Sequence, residues 1–315
     1  MENIYTSAHL SYEEQLQKFI DRGMEIKSKN FCLKKLESIN YYKLKEFALP
    51  FYKKEEAGYV YKDISLERVI KRFYLDKNLR MALLYAIEKI EISFKNKIAF
   101  LLGKNLGAFG YLDFKNWINK EEYCVHYARL KEDKFKNECK MKAKRTLNPF
   151  IKEFFEQYPN DIYAKQKLLP IWLSIEILTF GDILDIYKLM TKKDRVAIAD
   201  CYKCSTSELE SWLEHLKLIR NMCAHNSGVI DIKIRTLPKL RKEWKKYVFQ
   251  PRKGMYSNKI VNTLIVLKYL LTQVNPKFPL NGIGIAMQKL IKNSHKNANM
   301  YGITDEKLEF LFNEL

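Results

Sequence analysis

One segment of this 315-residue chain, residues 208–228, constrains the fold most strongly, because it predicts a helix with apolar side chains on two sides. Ser205 followed by Glu208 predicts a capping box at its start, and Gly228 predicts its end. A helix that is apolar on two faces is central to its fold or shared with a partner chain. The main apolar stripe is predicted to contain Leu209, Trp212, Leu213, Leu216, Ile219 and Cys223.

This helix also has a second apolar strip, and its main stripe contains an unusual charge. Leu218, Met222 and His225 form the second strip, which is only partly apolar. Arg220 falls inside the main stripe at about 100° per residue. Because an unpaired buried guanidinium strongly destabilises a fold, the pattern predicts an anionic partner for Arg220.

Two carboxylates are candidates for that partner. Glu176 is a lone carboxylate among the apolar residues 171–178, and a buried glutamate must be paired or neutral. It is our first choice. Glu91, at the edge of the apolar stripe of a long helical segment, is the second. We expect both glutamates to serve in structural pairing.

Residues 220–225, RNMCAH, also have the composition of a catalytic motif. An imidazole can transfer protons near neutral pH, and a guanidinium can hold a phosphate and stabilise charge that develops on it. Asn221 shares a helical face with His225 and can orient the imidazole or a ribose hydroxyl. Alternatively, Arg220 closes a structural ion pair and His225 caps the helix end. The spacing alone favours this structural interpretation.

The charge of the chain indicates a polyanionic partner. Lysine and arginine number 56 against 37 aspartates and glutamates, which gives a net charge of +19. Such an excess favours nucleic acid ahead of an anionic membrane surface, although Lys-rich solvated faces in a basic proteome give the same balance. Two basic segments are the candidate RNA-binding surfaces: the first contains Lys140, Lys142, Lys144 and Arg145, and the second contains Lys239, Arg241, Lys242, Lys245 and Lys246.

Composition also argues against a membrane span, export and a zinc site. The best apolar run, residues 261–271, is too short for a span and contains Lys268, and the N-terminal residues show no export signal. The six scattered cysteines suit a reducing, cytoplasmic environment. Cys201 and Cys204 form a lone CxxC with only His215 nearby, so we expect neither a metal nor another cofactor.

Helical spacing dominates the chain and predicts a mainly α fold, with strand-like character only at residues 59–63. Ser11 and Ser65 predict helix starts, the latter for a helix over residues 66–102 that ends at Gly103. Residues 30–50 predict one helix and a turn that ends at Pro50. Nothing in the sequence indicates a helix-turn-helix recognition element, so a DNA-binding regulator ranks last.

Later segments are also predicted to be helical. Residues 168–190 are apolar nearly all round and predict a helix that starts at Pro170 and is broken at Gly181. Another apolar helix is predicted over residues 261–274. A last amphipathic segment is predicted to close at Leu315.

Three blocks of sequence together resemble the Abi-like family of bacterial abortive-infection proteins, of the AbiD/AbiF type. They are DRGMEIKSKNFCLKKLESINYYKLKEFALPF, FYLDKNLRMALLYAIEKIEISFKNKIAF, and LPIWLSIEILTFGDILDIYKLM followed by WLEHLKLIRNMCAHNSG. The resemblance implies a HEPN-type helical bundle with N-terminal and C-terminal helical extensions. We therefore expect an N-terminal extension over residues 1–60, the HEPN-like bundle over 61–235 and a C-terminal helical region over 236–315.

The resemblance also implies an activity. In HEPN proteins an arginine followed a few residues later by a histidine marks metal-independent RNases, and here that motif gives Arg220, Asn221 and His225 as catalytic residues. Two motifs usually meet across a dimer axis, which implies a homodimer. The ribose 2′-OH would attack its own phosphate, and a small noncoding RNA would be a partner. The expected function is therefore an antiphage endoribonuclease; the alternative is a non-catalytic RNA-binding protein that uses the same helix as a dimer seam.

Overall fold

The structure is a computed structural model that describes residues 9–55, 58–304 and 308–312, and this part of the chain is mainly helical, as predicted. Its two strands, β1 (Tyr52–Glu55) and β2 (Gly58–Tyr61), form an antiparallel hairpin. The helices are α1 (Tyr12–Ile20), α2 (Lys29–Ser38), α3 (Tyr41–Ala48), α4 (Leu66–Leu106), α5 (Val125–Arg145), α6 (Pro149–Gln157), α7 (Ile162–Lys165), α8 (Ile171–Ile177), α9 (Phe180–Leu189), α10 (Lys192–Asp200), α11 (Thr206–Ala224), α12 (Val261–Val274), α13 (Asn281–Ile291), α14 (His295–Met300) and α15 (Glu309–Phe312).

The long helix α4 is the element around which the others pack. It contacts α3, α8, α9, α11, α12 and α13. Ser65 caps its start, as predicted, because the Ser65 hydroxyl accepts a hydrogen bond from the Arg68 amide. The helix runs past the predicted end at Gly103, where a side chain would press against Ile171, and stops at Gly107 with φ 72°. Glycine tolerates that left-handed conformation without strain.

The N-terminal region departs from the prediction, because residues 29–48 form two helices instead of one. Helices α2 and α3 are separated by only Ile39 and Asn40. The Asn40 side chain caps α3 by accepting a hydrogen bond from the Tyr42 amide at 2.9 Å. The prediction of a single helix over this segment was therefore wrong. The spacing of the apolar residues did not reveal the turn between α2 and α3, because that spacing is helical on both sides of the turn.

The break in the apolar segment 168–190 lies earlier than predicted. Helix α8 starts directly after Pro170 and ends at Ile177. Thr179 then forms a capping box with Asp182 at the start of α9, so Gly181 lies within the first turn of α9. The side-chain cap outweighs the weak helix-breaking tendency of glycine.

A common core joins the parts of the chain. One hydrophobic cluster contains buried side chains from the N-terminal, central and C-terminal regions, for example Leu16, Leu83 and Leu267. The division at residues 60 and 235 therefore stays a prediction. None of the described helices combines the length and apolarity that crossing a bilayer requires. The predicted end of the last helix at Leu315 lies outside the described residues.

Candidate functional site

Helix α11 carries the motif and begins as predicted. The Ser205 hydroxyl accepts a hydrogen bond from the Glu208 amide at 3.2 Å, and the Glu208 carboxylate accepts one from the Ser205 amide at 2.8 Å. The predicted apolar stripe is buried along its whole length, from Leu209 to Cys223. The capping box and the buried stripe hold the helix in place and leave its last turn at the surface.

The end of α11 sets the position of His225. The helix ends at Ala224, His225 is the C-cap, and Asn226 has the left-handed φ of 58°. The Asn226 amide donates to the Cys223 carbonyl at 3.3 Å and the Ser227 amide donates to the Met222 carbonyl at 2.8 Å, which is a Schellman motif. The predicted stop at Gly228 was therefore wrong.

Gly228 has a different role, because it allows α3 to approach the end of α11. A Cβ atom at Gly228 would lie 2.8 Å from Oε1 of Glu46 and 3.1 Å from the Phe47 ring. Both are side chains of α3. The glycine is thus explained by this close approach and not by a turn.

The three motif side chains lie together at the surface end of α11. Nη1 of Arg220 donates a hydrogen bond to Oδ1 of Asn221 at 3.3 Å. Asn221 and His225 are exposed, and the Arg220 side chain is 37% exposed. Within the described part of the chain, no side-chain hydrogen bond engages the His225 imidazole. The motif side chains are therefore accessible from solvent.

Glu91 of α4 is the carboxylate beside Arg220. Its Oε2 lies 3.6 Å from Nε of Arg220, and its Oε1 lies 3.2 Å from Nζ of Lys95. The Glu91 side chain is only 11% exposed. This ion pair is on the Nε edge of the guanidinium, so both terminal nitrogens stay available, one of them beside Asn221.

Our first choice for this partner, Glu176, was wrong. Glu176 is exposed on the short helix α8, and Trp172, one turn before it, is also exposed. The reason is that α8 packs only one face against the core, through Ile171, Ser174 and Ile175. An almost wholly apolar sequence therefore did not imply burial on every side.

A row of charged residues on α4 holds the loop that follows the motif, and the sequence analysis missed it. Oδ1 of Asp76 accepts hydrogen bonds from the Val229 and Ile230 amides at 2.7 and 3.1 Å. Its Oδ2 accepts one from Nε of Arg80 at 2.7 Å. Asp76 is fully buried, and this burial raises the pKa of its carboxyl group.

A second ion pair holds the same loop. Nη2 of Arg72 donates to both carboxylate oxygens of Asp231, at 2.6 and 2.7 Å. Arg72, Asp76 and Arg80 are four residues apart, so they lie on one face of α4. Charged residues at that spacing among buried positions were the sequence signal that could have identified them.

His215 is a structural residue and not a zinc ligand. Its Nδ1 lies 2.7 Å from the Thr236 carbonyl oxygen, and its Nε2 lies 2.8 Å from the Thr263 hydroxyl. A carbonyl oxygen can only accept, so Nδ1 carries the proton and Nε2 accepts from the hydroxyl. Burial lowers the pKa of His215 to about 4, which keeps the imidazole neutral. Both ring nitrogens are therefore occupied: Nε2 joins α11 to α12, and Nδ1 joins α11 to the segment that precedes α12.

The first predicted basic surface lies on α5. Lys144 and Arg145 are exposed at its C-terminal end, and Lys140 is half-buried. Lys142 instead forms an ion pair with Asp182 of α9. This surface therefore offers fewer free cations than the sequence suggested, and its contact with RNA stays a prediction.

The second predicted basic surface includes one residue with a structural position. The Arg241 guanidinium lies 4.5 Å from the centre of the Tyr269 ring and also packs on Trp212 and Trp244. Its Nε donates to Glu208 at 2.8 Å. Arg241 thus anchors its segment against α11 and α12. Its neighbours are exposed, and their role in RNA binding stays a prediction: Lys239, Lys242, Lys245 and Lys246.

A comparison with protein families identifies the family of the chain. The family model described as Abi-like protein matches residues 34–231, which is more than half of the chain. The chain belongs to the Abi-like family. Membership connects this Abi-like protein with abortive infection. The matched region begins in α2, contains α11 and its motif, and ends at Asp231, the partner of Arg72. No curated protein and no solved structure matches the chain significantly.

Proposed function

We propose that this Abi-like protein is an antiphage endoribonuclease of the HEPN type and that Arg220, Asn221 and His225 form its active site. One observation carries the proposal: the three side chains lie on the open last turn of a helix whose remaining length is buried. The family and the net charge of +19 support it.

The geometry supports a role for each side chain. The ribose 2′-OH attacks the adjacent phosphorus, and the 5′-oxygen leaves, which gives a 2′,3′-cyclic phosphate and a free 5′-OH. His225 transfers a proton at one of these oxygens. Arg220 stabilises the charge that builds up on the phosphate, through the terminal nitrogens that Glu91 leaves free. Asn221 orients the guanidinium, with which it already shares a hydrogen bond.

A second copy of the chain completes this site in the proposal. Leu218 and Met222 lie beside the motif and are only partly buried. If two such helices pack along this strip, one His225 accepts the proton of the 2′-OH and the other protonates the 5′-oxygen. A dedicated small noncoding RNA would bind the same cytoplasmic homodimer.

The decisive experiment compares the wild-type protein with His225→Ala on total RNA in the presence of EDTA. We expect the wild type to yield fragments with 2′,3′-cyclic phosphate ends and the variant to yield none. The exposed His126 provides a matched control, because His126→Ala removes an imidazole on α5, a different helix from the one that carries the motif. Equal and undiminished cleavage by His225→Ala would contradict the proposal.

The alternative is a non-catalytic RNA-binding protein in which α11 is a dimer seam. It is favoured by the Glu91–Arg220 ion pair, which gives Arg220 a structural partner already. In that case the wild type and His225→Ala bind RNA equally and neither cleaves it. A DNA-binding regulator, the third candidate, predicts that DNA competes with the RNA as well as RNA does.

A further inference from the structure

A cavity in the N-terminal region, outside the motif, has the properties of a ligand site. It has a volume of about 510 Å³ and lies between α1, the end of α2 and α3. We call it the N-terminal cavity; its charged lining consists of Lys18, Arg22, Lys45 and one carboxylate, Glu37. The volume is within the range of small-molecule and cofactor sites.

The cations of the N-terminal cavity outnumber the carboxylates that line it. Among the described residues, Lys18, Arg22 and Lys45 form no ion pair with a carboxylate. Burial lowers the pKa of Lys45, and the positive charges of Arg22 and Lys18 lower it further. Three cations that repel one another around a cavity would be stabilised by a bound anion. A phosphate meets this requirement, because it accepts several charge-assisted hydrogen bonds.

Two aromatic side chains make the cavity suitable for more than a phosphate. Tyr12 and Tyr42 line it and are 43% and 52% exposed. The Tyr42 ring is held in an edge-to-face contact with the buried Tyr41 ring, whose centre is 5.3 Å away. Exposed rings beside cations are the usual means by which proteins stack the bases of single-stranded nucleic acid.

The N-terminal cavity continues toward the motif. A neighbouring cavity of about 440 Å³ shares Ser38, Asn40 and Tyr42 with it. That cavity is also lined by Asn226, the residue directly after His225. Residues of α3 thus line both cavities, and the second cavity reaches the residue that follows the motif.

We infer that the N-terminal cavity binds a nucleoside phosphate, as one nucleotide of an RNA strand that runs along α3 toward His225. The choice of RNA over a free nucleotide rests on the proposed function and on the neighbouring cavity that Asn226 lines. The cations hold the phosphate, and Tyr42 stacks on the base. The site is separate from the basic segments around residues 140–145 and 239–246.

The test measures binding of a labelled single-stranded RNA to the full chain in EDTA, with His225→Ala present in every variant so that the probe is not cut. Replacing Lys18, Arg22 and Lys45 together by glutamine should weaken binding at least about tenfold and lower the slope of log affinity against log salt by roughly 2. The matched control replaces Lys27, Lys29 and Lys34, exposed lysines of the same region that do not line the cavity. The control should change affinity by less than about twofold.

The aromatic contact is tested separately. Tyr42→Ala should weaken binding about tenfold, whereas Tyr42→Phe should keep it, because stacking needs the ring and not the hydroxyl. Ultraviolet crosslinking of 4-thiouridine RNA to the otherwise unaltered chain, followed by peptide mapping, does not depend on the folding of any cavity variant. Crosslinks at Tyr12 or Tyr42 support the inference, and crosslinks confined to residues 140–145 or 239–246 overturn it.

Competition distinguishes the possible sources of the phosphate. Unlabelled RNA should displace the probe, whereas mononucleotides and single-stranded DNA should displace it poorly. If a mononucleotide binds the wild type but not the triple variant while RNA binding is equal in both, the ligand is a free nucleotide and the inference of an RNA path is wrong. The proposed function fails by a different result, the lack of cleavage in the wild type with intact RNA binding.

Discussion

At the residue scale, Arg220 combines a structural contact on one edge of its guanidinium with a partly exposed second edge. Its Nε faces Glu91 at 3.6 Å, while Nη1 points to Asn221. Glu91 has a second cationic partner in Lys95, so it would not be left unpaired without Arg220. The side chain of Arg220 is also too exposed for the pair to contribute much to stability.

Replacement of Arg220 should therefore separate stability from activity. We expect Arg220→Ala to abolish RNA cleavage and to change the free energy of unfolding by no more than about 1 kcal/mol. Arg220→Lys should keep the ion pair with Glu91 but lose most activity, because an ammonium lacks the planar fork of the guanidinium. Urea unfolding and cleavage of a labelled RNA measure the two quantities; unfolding of Arg220→Ala at much lower urea would show a mainly structural residue.

His215 gives a pH dependence of stability that is independent of the motif. Its pKa of about 4 in the folded protein lies below the ordinary value of 6.5, so the unfolded chain binds the extra proton first. The contribution of His215 is thus complete above about pH 6.5 and is lost as the pH falls toward 4, by roughly 3 kcal/mol in total.

The measurement compares urea unfolding of the wild type and of His215→Gln across that pH range. The other titrating groups are common to both proteins and cancel in the difference. We expect the stability advantage of the wild type to shrink as the pH falls from 6.5 to 4. A constant difference would show that the imidazole is not neutral and buried in the folded protein.

At the scale of the element, the end of α11 depends on Asn226. Its left-handed conformation closes the Schellman motif and places His225 at the C-cap. Asn226→Val should destabilise the protein by about 1–2 kcal/mol, because a β-branched side chain clashes with the backbone in that conformation. Asn226→Gly is the matched control and should be neutral or slightly stabilising. Equal melting temperatures for both variants would contradict this account of the helix end.

The loop after α11 depends in the same way on α4. Asp76→Ala would leave the Val229 and Ile230 amides and the Arg80 guanidinium without their shared acceptor. Removing one partner of a buried ion pair destabilises a protein by about 3–5 kcal/mol. We expect a loss of that size in urea unfolding. Asp133→Ala, at an exposed position on α5, is the control and should have little effect.

At the scale of the whole molecule, the question is where the net charge of +19 meets a polyanion. Some of the predicted cations are used internally, such as Lys142 with Asp182 and Arg241 with Glu208. The N-terminal cavity adds cations that the sequence analysis did not select. The proposed function thus has three candidate surfaces for RNA.

Neutralising each surface in turn should rank them. Glutamine at the four predicted positions on α5 should weaken RNA binding and lower the salt slope by roughly 2, because Lys142 is already paired. The second set consists of the lysines in residues 239–246. It leaves Arg241 unchanged, because loss of Arg241 would disturb its packing against Trp212 and Tyr269. Fluorescence anisotropy at several salt concentrations measures the slopes. An unchanged slope for a set would exclude that surface. The sets are Lys140, Lys142, Lys144 and Arg145, and Lys239, Lys242, Lys245 and Lys246.

The sequence by itself determined the starts of α1, α4 and α11 and the buried face of α11. Ser11, Ser65 and Ser205 cap their helices through hydrogen bonds to residues three positions away, and the apolar stripe follows from the helical repeat. Such interactions are short-range along the chain, so a pattern of nearby residues is sufficient to predict them. The tendency of the whole chain to be helical was determined in the same way.

Only the tertiary structure decided which charges meet. The contacts between Arg220 and Glu91, and between Asp76 and the Val229 amide, join residues more than one hundred positions apart. Whether Glu176 is buried depended on which face of α8 the core covers. A cation cavity likewise exists only because a two-residue turn brings α3 beside α1. These outcomes depend on packing between distant elements, which no local pattern encodes.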